Sequence, residues 1–122
     1  MKSLPILLAC TLLVEAGSAN AQTHSWSVFA GSPTAGSNDG LGAAARFNQP
    51  HYLALDATGN VFVTDTGNAV IRRITPAGSV TTYLGVPGSS IVVDGPATLA
   101  RFAAPMGIFA ISTGALLITE VN

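Results

Sequence analysis

The residues able to do chemistry in this chain are few and scattered. Two histidines, His24 and His51, stand 27 positions apart, and the single cysteine is Cys10. A metal site draws on three or four converging His, Cys, Asp or Glu side chains, and no such cluster is spaced along the sequence. No serine, cysteine or threonine stands in a motif with a histidine that would mark a nucleophile and its base. Gly40-x-Gly42 follows no strand and opens no helix, so it reads as a loop and not as a nucleotide cradle. Asp65 and Glu120 each close a β-type run. Carboxylates so placed are expected to hydrogen-bond the backbone of their own turn. The expectation is therefore no catalytic residue, no metal and no cofactor.

What must position any functional side chain begins with the chain's ends and its charge. Residues 1–21 read as an export signal. Lys2 gives a positive start, Leu4–Val14 is almost wholly apolar, and Ala19-Asn20-Ala21 fits a small-x-small cleavage site. Pro5 and the early Glu15 make the apolar run too short to span a bilayer. Leu7-Leu8-Ala9-Cys10 also resembles a lipobox, which would anchor the chain through Cys10, but the apolar run continues past it. Cleavage after Ala21 is the expectation, with the product secreted, periplasmic or at the cell surface. Beyond that point the charges are Arg46, Arg72, Arg73 and Arg101 against Asp39, Asp56, Asp65, Asp94 and Glu120. A nucleic-acid partner needs a basic stripe to neutralise phosphates. With a net charge of −1 and 9% charged residues, no such stripe exists.

Laying the chain on itself exposes its organisation. At an offset of 55 residues, Asp39–Pro50 (DGLGAAARFNQP) falls on Asp94–Pro105 (DGPATLARFAAP), with six of twelve positions identical. The identities are Asp39/Asp94, Gly40/Gly95, Ala45/Ala100, Arg46/Arg101, Phe47/Phe102 and Pro50/Pro105. The same offset continues ungapped, matching Val61-Phe62-Val63 with Leu116-Leu117-Ile118 and Asp65 with Glu120. A repeat at fixed spacing marks a modular architecture in which each unit packs on the next.

Within one period, Tyr52–Leu55, Val61–Thr64, Val70–Ile74 and Val80–Leu84 are short runs rich in β-branched and aromatic residues, predicting four strands. The segments between them carry Gly with Asn, Asp or Pro, the residues tight turns require. The longer stretch Gly31–Pro50 reads as a crossover with at most one helical turn at Gly42–Phe47. Asp39 and Arg46, with their copies Asp94 and Arg101, are its only charges. Arg46 and Arg101 are expected to pin it by hydrogen bonds to carboxylates or carbonyls, and Phe47 and Phe102 to plug the seam between units.

Taken together, these residues resemble the NHL repeat. The pattern is carried by Asp39-Gly40, Ala45-Arg46-Phe47-Asn48-Gln49-Pro50, Gly59-Asn60 with the strand after it, Asp65-x-x-Asn68, Ile71-Arg72-Arg73-Ile74 and Thr75-Pro76-Ala77-Gly78. Tyr52, where the family has Gly, and Ala69, where it often has His, depart from it. The resemblance implies an all-β chain of β-propeller blades, each four-stranded and antiparallel, in an incomplete propeller. Its expected parts are the signal at 1–21, an outer strand of a preceding blade (Trp26–Ala30) with a crossover at 22–47, one blade at 48–85, and a crossover with half a blade at 86–122. The resemblance implies that the innermost strand lines a central channel, making His51 the one channel-facing candidate for ligand contact. Asp39, Arg46, Phe47, Pro50, Asp65, Asn68, Asp94, Arg101, Phe102 and Pro105 are then structural motif positions. The implied function is a non-catalytic binding or scaffold module for a protein, glycan or small ligand, requiring the remaining blades as partners. The rival is a piece of a propeller enzyme, a gluconolactonase-like hydrolase or an amidating lyase, with a metal in its channel.

Overall fold

The computed structural model describes residues 27–112 and 114–121; the stretch 1–21 read as an export signal, Cys10 within it, His24 and Trp26 lie outside them. Seven strands form. They are β1 (Gly40–Leu41), β2 (Pro50–Leu55), β3 (Val61–Asp65), β4 (Val70–Ile74), β5 (Ser79–Gly85), β6 (Pro105–Ala110) and β7 (Leu116–Glu120). The first five make one antiparallel sheet in the order β1-β5-β4-β3-β2, and β6-β7 make a second. β2 to β5 are the four-stranded meander of a propeller blade, and each predicted run of β-branched residues lies in its strand. Short hairpins join them because the turns carry the right residues. At Asp56–Asn60 the Asp56 carboxylate accepts from the backbone N–H of Thr58 and of Asn60, each at 2.9 Å.

The repeat survives at the level of hydrogen bonds. In the blade, Pro50 pairs with Asp65, Leu53 with Val63 and Leu55 with Val61. At the same offset, Pro105 pairs with Glu120, Ile108 with Ile118 and Ala110 with Leu116. Both pairings contain a bulge in which two residues face one: His51-Tyr52 opposite Thr64, and Met106-Gly107 opposite Thr119. The threonine hydroxyl fills the bulge both times, accepting from Tyr52 N–H at 3.0 Å and from Gly107 N–H at 2.9 Å.

The blade's two faces differ. Strand pleating puts Val63, Ile74 and Val80 on one face, where Ala30, Ala45 and Phe47 of the crossover cover them to form the buried core. On the opposite face Phe62 meets Tyr83 edge-to-face with centroids 5.0 Å apart, and the Arg73 guanidinium lies 5.8 Å from the Tyr83 ring. The second sheet stacks on the blade through β6, which packs against β2 and β3.

One sequence expectation needs correction here. Residues 27–30 form no strand. Ala30 instead turns into the core and Gly31 N–H donates to the Gly42 carbonyl at 3.1 Å, so the free edge of β5 pairs with the short strand β1. The helical turn in the crossover is a single 3-10 turn, Gly42–Ala44.

Candidate functional site

Two constellations of polar side chains stand out, one buried and one exposed. The buried one centres on Arg72, fully enclosed in β4. Its Nη1 donates to Asp65 Oδ2 at 2.9 Å and to the Arg46 carbonyl at 2.8 Å, while Nη2 donates to Asp39 Oδ1 at 2.7 Å and the Asn38 carbonyl at 2.8 Å. The Phe47 ring lies under the guanidinium, 5.0 Å from its carbon. A planar fork of donors suits this mixture of carboxylates and carbonyls. Asp65 also accepts from Asn48 N–H and Asn68 Nδ2, both at 2.7 Å. Burial pushes the Asp65 carboxyl above its ordinary value, against the pull of the Asn48, Asn68 and Arg72 donors.

This arrangement overturns the anchoring role expected of Arg46. The Arg46 side chain is exposed, lies along Gly36 and makes no hydrogen bond or ion pair among the described residues; its carbonyl is what matters, as an acceptor for Arg72. Arg101 is likewise exposed and pairs with Val93 through the backbone, its side chain making no hydrogen bond among the described residues. The carboxylates also depart from expectation. Asp65 and Glu120 take backbone N–H groups not from their own turns but from the strand approach seventeen residues earlier, at Asn48 and Ala103. Asp39 joins Thr82 as well as Arg72, and Asn68 donates to the Gly36 carbonyl at 2.7 Å. Phe47 packs on Gly31, and Phe102 on Gly85 at the end of the blade's outer strand. Pro50 and Pro105 occupy matching bulge positions, and Asp94 is exposed in the second crossover.

The exposed constellation surrounds His51. Pro50, His51, Tyr52, Leu53 and Val63 line a shallow groove of about 250 Å³. The bulge is what puts His51 and Tyr52 side by side on it, since a regular strand would send neighbours to opposite faces. His51 Nδ1 lies 2.9 Å from Thr66 Oγ1. The Thr66 hydroxyl donates its own proton to the Pro105 carbonyl, so its oxygen accepts from His51 Nδ1–H. In the neutral ring that geometry favours the Nδ1–H tautomer, with Nε2 as the acceptor. Thr66 thus ties the imidazole to the neighbouring sheet, a role that repeat comparison does not signal because Thr66 lies in a turn. Among the described residues no three His, Cys, Asp or Glu gather to hold a metal ion.

Residues 47–73, from the buried Phe47 through β4, match the family model of the NHL repeat. The chain carries an NHL repeat. No curated protein sequence matches it. Among solved structures, a structural genomics protein of unknown function from Bacteroides thetaiotaomicron superposes with a TM-score of 0.73 and 28% identity, over 78% of this chain and 24% of that one. An auxiliary nutrient binding protein from the same organism gives a TM-score of 0.70 and 25% identity, over 79% of this chain and 26% of that one. The chain thus spans about a quarter of the length of these structures. The NHL blade is all-β and of propeller type, and Arg72, the third residue of β4, is the anchor within the matched motif.

Proposed function

We propose that the chain is the binding portion of an exported β-propeller that takes a glycan in the groove beside His51, without catalysing a reaction on it. The carrying observation is the tautomer favoured by Thr66, which presents Nε2 as an acceptor beside an exposed tyrosine ring. A sugar presents just these needs, an apolar ring face for an aromatic platform and a hydroxyl that donates to a fixed acceptor. Tyr52 is 57% exposed, so its ring is open to such a face. The likeness to a nutrient binding protein supports binding as the activity, and the apolar run at residues 4–14 supports export. Calorimetric titration of the chain with a panel of mono- and oligosaccharides tests the reading. At least one sugar binds, and His51→Ala and Tyr52→Ala each weaken it about ten-fold, the loss expected for one hydrogen bond or stacking contact. Binding of no sugar, or binding that both variants leave unchanged, overturns it.

A further inference from the structure

His51 and Met106 carry the only imidazole and the only sulfur among the described residues, and one hydroxyl touches both. Thr66 Oγ1 lies 2.9 Å from His51 Nδ1 and 4.0 Å from Met106 Sδ. The two residues hold the same place in their units, 55 positions apart, each following a proline and opening a bulge. β6 packs against β2, and Thr66, in the turn after β3, bridges the two strands where they begin. The Thr66 proton goes to the Pro105 carbonyl, so the thioether keeps its lone pairs. His51 is exposed and Met106 half-buried, so neither residue is sealed in the core.

We propose that His51 Nε2 and Met106 Sδ together bind a soft monovalent cation, copper(I), between the first residues of β2 and β6. Both donors are neutral, and one is a polarisable thioether. That pairing selects a soft ion, because thioethers favour copper(I) whereas calcium and magnesium demand oxygen ligands. A filled-shell monovalent ion is satisfied by a pair of donors in line and brings little charge to neutralise, so it needs neither a carboxylate nor a third side chain. A ligating imidazole donates its other N–H to a neighbouring acceptor, which orients the ring and raises its basicity. The Nδ1–H bond to Thr66 is that arrangement, and it turns Nε2 outward as the ligand. Met106 has three rotatable side-chain bonds, so its sulfur swings toward the ion without a shift of β6. The site shares Nε2 with the glycan groove but does not rest on the sugar reading, and it binds without catalysing a reaction.

Silver(I), the air-stable stand-in for copper(I), is the probe, with no sugar present. The full chain carrying Cys10→Ser, which removes its one thiol, is titrated and followed by nuclear magnetic resonance. The carbon shift of the Met106 methyl group and the nitrogen shift of His51 Nε2 move together to saturation, while Nδ1 stays protonated. Met106→Leu keeps the apolar volume and the fold but removes the sulfur, and it weakens binding at His51 about ten-fold or more. Thr66→Val, which touches neither donor atom's bond to the ion, also weakens it about ten-fold, the loss expected of an outer partner to a ligating imidazole. Zinc(II) at the same concentration leaves the Met106 methyl signal in place. A Met106 methyl signal that silver(I) does not move, binding at His51 that Met106→Leu leaves unchanged, or a zinc(II) response equal to that of silver(I) overturns the proposal.

Discussion

Arg72 Nη2 contacts Asp39 Oδ1 at 2.7 Å across 33 positions of sequence, so one guanidinium in the middle of the blade holds the crossover that wraps it. Through its other nitrogen the same side chain reaches Asp65, which is fully buried. Removing it would leave that carboxylate enclosed without its cation. Arg72→Met is expected to destabilise the chain by about 3–5 kcal/mol, the usual loss on breaking a buried pair. Arg46→Ala stays within about 0.5 kcal/mol because that side chain is exposed and, among the described residues, makes no hydrogen bond or ion pair. Urea melts of the two variants decide the matter, and equal losses would return the anchor to Arg46.

Acid stability separates the two carboxylates of the blade. The Asn60 side chain, with the backbone N–H groups of Asn60 and Thr58, holds Asp56 down from 3.8 to about 2. Its folded value lies below its unfolded one, so Asp56 stabilises the fold above pH 3.8, and that contribution is lost as pH falls toward about 2. Asp65 is raised instead, so it binds its proton more tightly when folded and opposes acid unfolding. Asp56→Asn is expected to flatten the fall in urea midpoint between those two pH values, whereas Asp65→Asn does not.

The imidazole tautomer is open to direct observation. Nitrogen chemical shifts of neutral His51 are expected to show the Nδ1–H form. Thr66→Val removes the acceptor and moves the population toward Nε2–H, the form free imidazole side chains favour. Identical nitrogen shifts in the two proteins would mean that Thr66 does not orient the ring.

Two glycines separate strain from crowding. Gly85 has φ +93° and an added Cβ would lie 2.8 Å from the Ala69 carbonyl oxygen, whereas Gly114 has φ +85° and nothing within 4 Å. Gly114→Ala is therefore expected to cost about 1–2 kcal/mol from the left-handed backbone alone. Gly85→Ala costs more than that, because the seam to Phe102 must also shift. Thermal melts that rank the two in the opposite order would place the strain elsewhere.

Much of the fold was legible because strands and turns advertise themselves locally. Val61–Thr64 and Val70–Ile74 are rich in β-branched residues between Gly-, Asn- and Pro-bearing turns, and the repeat marks the pairing of the first of them with β2. The anchor was harder to find, because repeat identity drew attention to Arg46 and Arg101, which are duplicated for their backbone. Arg72 has no second copy in the sequence to mark it. One signal did exist: Arg72 and Arg73 are adjacent in a central strand, and a period of two must turn one of them into the core. The His51 groove depends on a bulge, which strand patterning does not reveal until Thr64 is seen filling it.

The reach from Asp39 to Arg72 also bears on the order in which the chain assembles. β2 to β5 join by short hairpins, contacts that form early because little loop entropy opposes them. The crossover latch closes a far longer loop and has nothing to grip until β4 is paired. It is thus expected to form late, after the rate-limiting barrier. Weakening it with Asp39→Asn should leave the refolding rate nearly unchanged and quicken unfolding, a low φ-value in a stopped-flow experiment. The blade would then owe its lifetime, more than its speed of formation, to one arginine.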